Sequence, residues 1–102
     1  MDESGNPVQI AGLTFDPSTH EAFLEGQPLG LTKTEFRLLF FLLQSDGRVF
    51  ARKEIIAAVQ GDDYPATERS VDSRVLSLRR KLGSHGSLID TVRGAGYRRR
   101  TL

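Results

Sequence analysis

The chain has 102 residues, 38% hydrophobic and 26% charged, with a net charge of +1 and no cysteine. This suits one soluble globular domain and excludes disulfide frameworks, thiolate metal sites and thiol nucleophiles. The longest apolar run, Leu38 to Leu43, is too short to span a bilayer, and the acidic, polar start MDESGNP has no secretory-signal character. The charge is unevenly distributed. Residues 1–66 carry 5 Lys/Arg and 10 Asp/Glu, and residues 67–102 carry 9 Lys/Arg and 3 Asp/Glu. A basic half on a near-neutral chain points to an anionic partner, with phosphate backbone first and an anionic membrane second. No segment joins a basic face to a bulky apolar one, as a membrane-surface helix would.

In chain order, residues 1–7 read as a flexible tail and 8–102 as the domain. Residues 8–31 mix β-formers with turn residues at Gly12, Asp16-Pro17-Ser18, Glu25-Gly26 and Pro28. They predict a small antiparallel sheet of three or four strands, with a hairpin turn at Glu25-Gly26, covering one end of the core. Residues 32–47 predict the central helix. Thr32 and Glu35 have capping-box spacing, Phe36, Leu39, Phe40 and Leu43 form a stripe, and Gly47 fits a left-handed C′ position. Residues 51–60 predict a short helix with Ile55, Ile56 and Val59 inward and an unfavourable N-cap at Ala51. Residues 61–66 predict a loop, either a connector or, through Asp62, Asp63 and Tyr64, a contact for another protein.

Residues 67–82 predict a helix with Thr67 as N-cap and Gly83 closing it. Val71, Val75, Leu78 and Leu82 make the core stripe. At about 100° per residue, Arg69, Ser73, Leu76 and Arg80 lie opposite, with Ser70, Arg74 and Ser77 on one flank. Taken alone, this segment fits a solvated surface helix as well as one that lies in a DNA groove. Leu76 is the odd member of that face, open to a thymine methyl, a partner surface or plain exposure. Residues 84–86 predict a turn. Residues 87–102 predict a hairpin with Arg93 at its tip and Arg98, Arg99 and Arg100 returning, between glycines that allow a tight reversal.

Catalysis finds little support. His20 and His85 stand without a partner pattern, and Gly94-Ala95-Gly96 lacks the third glycine and following helix of a dinucleotide site. Nothing in the pattern calls for a metal or a cofactor, and no enzyme is expected. The arginine-and-serine helix face followed by an arginine-tipped hairpin fits DNA. The major groove admits a helix, arginine pairs with guanine, and an arginine at a hairpin tip suits a narrow minor groove. Arg80 and the return-strand arginines would serve phosphates.

Three stretches then carry a family resemblance: LTKTEFRLLFFLLQSDGRVFARKEII, ERSVDSRVLSLRRKLG and IDTVRGAGYRR. They resemble the winged helix-turn-helix DNA-binding domain of bacterial OmpR/PhoB-type response regulators, over about residues 8 to 101. The resemblance implies an α+β fold: an N-terminal antiparallel four-stranded sheet, three helices and a C-terminal β-hairpin wing. It implies a cytoplasmic transcription regulator of a two-component phosphorelay that binds double-stranded promoter DNA. Such a domain is monomeric alone and pairs head to tail on direct repeats. A receiver domain, addressed by a sensor kinase, would precede it in a full-length regulator. Carried over by position, Arg69, Ser70, Ser73, Arg74 and Ser77 are the helix contacts to bases and phosphates. Thr91 and Arg93 are wing contacts, and Tyr97 supports the wing or touches the backbone. Residues 61–66 gain a possible contact to RNA polymerase. Departures from the family pattern fall at Ala51, Gln60, Arg74, Leu76 and Ser77. The alternative is a winged-helix protein-interaction module that uses loop 61–66 and the outer face of helix 67–82.

Overall fold

The computed structural model describes residues 7–59 and 67–100. All of the expected tail except Pro7, and Gln60, Asp62, Asp63 and Tyr64, lie outside the described residues. The chain begins with an antiparallel meander in the order β1 (Val8–Ile10), β2 (Leu13–Asp16), β3 (Glu21–Leu24) and β4 (Gln27–Pro28). Leu13, Phe15 and Ala22 face inward from it and are buried. Two of its turns use left-handed pairs, Ala11-Gly12 (φ 55° and 86°) and Glu25-Gly26 (φ 52° and 82°), the backbone that matches the twist of paired strands. Between β2 and β3, the Asp16 carboxylate accepts hydrogen bonds from the Ser18 N–H and hydroxyl.

Three helices follow: α1 (Lys33–Leu43), α2 (Arg52–Ala58) and α3 (Glu68–Leu82). Phe36, Leu38, Leu39, Leu42 and Leu43 of α1 meet Ile55 and Val59 from the α2 segment and Val71, Val75, Leu78 and Leu82 of α3 in one core. Phe15 closes it from the sheet, with its ring edge-on to Phe36 at 5.7 Å. The expected capping box at Thr32 is present. At α2, Ala51 offers no side-chain cap, but the Glu54 carboxylate accepts its backbone N–H at 2.8 Å.

The α1 terminus differs from the expectation. The helix stops at Leu43 with Gln44 as C-cap, so Gly47, although left-handed at φ 79°, lies beyond C′. The Leu43 carbonyl is instead satisfied by the Arg99 guanidinium at 3.2 Å, so the C-terminal hairpin takes over a role that a local Gly cap would otherwise fill. The expected turn at 84–86 is a longer 3-10 helix, Gly83–Leu88. It draws Leu88 out of the strand that was expected to contain it.

The hairpin consists of β5 (Ile89–Val92) and β6 (Gly96–Arg99), antiparallel, with Thr91 opposite Tyr97. It is joined to the body through the backbone. Phe50 N–H donates to the Tyr97 carbonyl at 2.8 Å, and Tyr97 N–H donates to the Phe50 carbonyl at 3.0 Å. Gly96 makes this approach possible, since a Cβ there would stand 1.9 Å from the Phe50 carbonyl oxygen. The whole is the four-stranded sheet, three helices and terminal hairpin that the resemblance implied.

α3 is seated on α1 by a buried carboxylate. Glu35 is 2% exposed. Its Oε1 accepts the Thr32 N–H at 3.0 Å and Lys81 Nζ at 2.6 Å, and its Oε2 accepts the Ser77 hydroxyl at 2.6 Å. Burial pushes this carboxyl up, but the Lys81, Ser77 and Thr32 donors outweigh it and hold it below its ordinary value.

Two outcomes are expected. Gly96→Ala should destabilise the fold by about 3 kcal/mol or more, read as a sharp fall in the urea midpoint, because the new methyl meets backbone that cannot rotate away. Glu35→Gln should cost about 2 kcal/mol at neutral pH through the lost charge-assisted bonds. A carboxyl depressed in the fold stabilises fully above its unfolded value and loses that contribution as pH falls through its folded value. Urea titrations across the acid range should therefore show a steeper decline for wild type than for Glu35→Gln. Parallel curves would contradict this role for Glu35.

Candidate nucleic-acid interface

The interface is built from α3 outward. Its stripe of Val71, Val75, Leu78 and Leu82 is buried, while Arg69, Ser73, Leu76 and Arg80 are exposed on the opposite side. The Thr67 hydroxyl accepts the Ser70 N–H at 3.1 Å and lies 2.9 Å from the Ser70 hydroxyl. Ser70 is therefore part of the N-terminal cap as well as of the flank. The Ser73 hydroxyl lies 3.4 Å from the Arg69 carbonyl. Arg74 is half-buried on the Ser70 flank. Ser77, on that same flank, gives its proton to Glu35, so its oxygen is left to act as an acceptor.

The other flank carries two residues that sequence reasoning did not single out, Asp72 and Arg79. Asp72 Oδ1 accepts both the Arg52 Nε at 2.7 Å and the Tyr97 hydroxyl at 2.5 Å. This one oxygen joins α2, α3 and β6. Burial pushes the Asp72 carboxyl up, and the Tyr97 hydroxyl and Arg52 guanidinium overcome it, leaving it below the ordinary value. Burial and the adjacent Asp72 carboxylate push the Tyr97 hydroxyl up, so it keeps the proton it donates. Arg79 donates twice to the Ile89 carbonyl, at 2.7 and 3.2 Å, and once to Thr91 Oγ1 at 2.7 Å. The guanidinium carbons of Arg52 and Arg79 lie 5.3 and 5.8 Å from the Tyr97 ring centroid, within reach of the ring quadrupole. Tyr97, at 4% exposure, thus braces the hairpin from inside. The helical wheel held the signal for this flank, since Asp72 and Arg79 are seven residues apart and share one side of the helix.

The hairpin divides its arginines. Arg93, at the turn, and Arg100 are exposed, and Thr91 is exposed beside Arg79. Arg98 pairs with Asp90 across the strands at 3.0 Å, and Arg99 reaches the Leu43 carbonyl. Two of the three return-strand arginines therefore serve the fold. His20 sets its ring edge-on to Phe36, and His85 Nδ1 lies 3.3 Å from the Ser84 hydroxyl. Among the described residues, no group of three or more His, Asp or Glu is placed to hold a metal ion, and no helix is long and apolar enough to cross a membrane.

A family model described as "Transcriptional regulatory protein, C terminal" matches residues 26–99. The transcriptional regulatory protein VxrB of Vibrio cholerae is 44% identical over 96 residues, covering 94% of this chain and 38% of that protein. The phosphate regulon transcriptional regulatory protein PhoB of Pseudomonas aeruginosa is 36% identical over 97 residues, covering 94% of this chain and 42% of that protein. The chain spans about two fifths of the length of these curated relatives. Among solved structures, the DNA-binding domain of response regulator AdeR, in complex with an intercistronic region, superposes with a TM-score of 0.81 at 33% identity. That match covers 93% of this chain and 100% of that one. The DNA-binding domain of CpxR from E. coli gives 0.77 at 34% identity, covering 93% and 96%. The Asp72-braced helix and hairpin thus lie within a matched region of known lineage, and the chain belongs to the family of transcriptional regulatory protein C-terminal domains, the OmpR/PhoB-type effector domains of response regulators.

Proposed function

We propose that this domain binds double-stranded DNA sequence-specifically and serves transcription regulation as the effector end of a two-component response regulator. One observation carries the reading. α3 presents an exposed Arg69, Ser73, Leu76 and Arg80 face, while Asp72 and Arg79 on its flank fix the Arg93-tipped hairpin to the same helix. A helix of this width fits the major groove, and an arginine at a hairpin tip fits a narrow minor groove. In this assignment Arg69, Ser70, Ser73 and Arg74 meet bases and phosphates along α3, and Ser77, its proton given to Glu35, accepts from a donor on a base edge. Arg80 and Thr91 meet phosphates, Arg93 enters the minor groove, and Tyr97 holds the hairpin at its angle. AdeR, whose DNA-binding domain was solved on an intercistronic region, supports it by its likeness.

The resemblance also supports a cytoplasmic setting, a receiver domain ahead of this one in the full-length protein, and head-to-tail pairing on direct repeats. Asp62, Asp63 and Tyr64 are proposed as a polymerase-facing surface on the resemblance alone.

The exposed charge sets the expected salt dependence. Among the described residues of the basic half, Arg69, Arg80, Arg93 and Arg100 are exposed, and the other cations are half-buried. At about 0.9 per phosphate neutralised, the affinity of one domain should fall by roughly three to four log units per log unit of salt. A titration series with no salt dependence would sink the reading. Arg93→Ala should weaken binding by on the order of 1 kcal/mol, with the loss concentrated on sites whose hairpin-proximal segment is A·T-rich. Comparing that segment as A·T and as G·C checks it: an equal loss on both would place Arg93 on phosphate alone.

A further inference from the structure

Leu76 stands 50% exposed in the middle of the face just described; among the described residues the other exposed large hydrophobic is Val8, in the first strand. Every other valine and leucine of α3 is buried. The residues one turn away on either side are Asp72, Ser73, Arg79 and Arg80. A protein-docking patch needs contiguous apolar area of a few hundred Å², and one leucine among serines and arginines does not supply it. An isolated apolar group inside a cationic surround matches a surface that is anionic overall and apolar at isolated points. The major groove is such a surface, because each thymine places a C5-methyl there between phosphate strands.

The serine hydroxyls of this helix each have a partner within the fold and keep lone pairs for a hydrogen-bond donor, which a thymine methyl is not. Ser77 donates to Glu35, Ser73 lies against the Arg69 carbonyl, and Ser70 sits in the cap. Along the axis, Arg69 lies about 10 Å before Leu76 and Arg80 about 6 Å after it, at about 1.5 Å per residue. Two cations that would take phosphates therefore bracket the leucine.

We infer that Leu76 is a specificity-determining residue that reads the C5-methyl of a thymine in the major groove. The inference rests on the DNA-binding function proposed above and adds the base feature that is read. The test begins by selecting bound duplexes from a random pool with this chain. Each thymine of the recovered site is then replaced singly by deoxyuridine, which removes the methyl and keeps the pairing. Wild type should lose about fourfold in affinity at one thymine per half-site, the equivalent of about 0.8 kcal/mol for a buried methyl-sized group. Leu76→Ala, at an exposed position and checked by its melting curve, should bind the thymine and uracil duplexes equally at that position.

The inference is overturned if wild type is indifferent to uracil at every thymine, a result that needs no variant. It is also overturned if Leu76→Ala keeps the discrimination. Loss only of pairing between two copies on a tandem site would assign Leu76 to a protein contact and overturn it too. Recovery of no duplex at any salt would remove the DNA-binding reading itself, an outcome distinct from the others.

Discussion

Glu35 is a buried carboxylate between α1 and α3, and the seating of α3 depends on how it is satisfied. A charge so buried is costly unless paired and hydrogen-bonded. Here the donors come from its own N-cap and from two residues one turn apart on α3, Ser77 and Lys81. The capping box fixes where the carboxylate stands, and the carboxylate fixes the azimuth of α3. Apolar stripes alone are forgiving, because leucine and valine pack acceptably over a range of helix rotations. Hydrogen bonds are directional and are not forgiving in that way. On the opposite flank Asp72 does the same work with Arg52 and Tyr97. Held on both sides, the helix can present only one face to solvent.

The elements that obey local rules were legible in the sequence. The 3.6-residue stripe of α3, the capping box of α1 and the Glu25-Gly26 turn each depend on residues within a few positions of one another. What escaped depended on distance. Glu35 was already explained by its cap, so nothing marked its bonds to residues 42 and 46 positions away. Gly47 looked like a helix terminator because the true partner of the Leu43 carbonyl, Arg99, sits 56 positions along the chain. Arg79 and Arg80 are adjacent and chemically alike. About 100° of helix rotation makes one a brace for the hairpin and leaves the other in solvent.

The same division governs the basic half of the chain. Its arginines were read as a field for an anionic partner, yet several are structural. The hairpin has strands of four residues, anchored by the buried Ile89 and Tyr97 and by the backbone pair of Phe50 and Tyr97. Guanidiniums fasten it further: Arg79 on the Ile89 carbonyl, Arg98 on Asp90, Arg99 on the Leu43 carbonyl, and Arg52 and Arg79 about the Tyr97 ring. Arginine suits this task because its planar fork serves a carbonyl and an aromatic face together. Bonds of this kind, partly shielded from solvent, are screened by salt less than exposed charges are. Salt should therefore loosen the contact with an anionic partner before it loosens the hairpin. Arginines bonded to carbonyls keep their charge and still contribute to the field a partner meets, but only the exposed ones can reach phosphates directly, so the exposed arginines are the better measure of direct contacts.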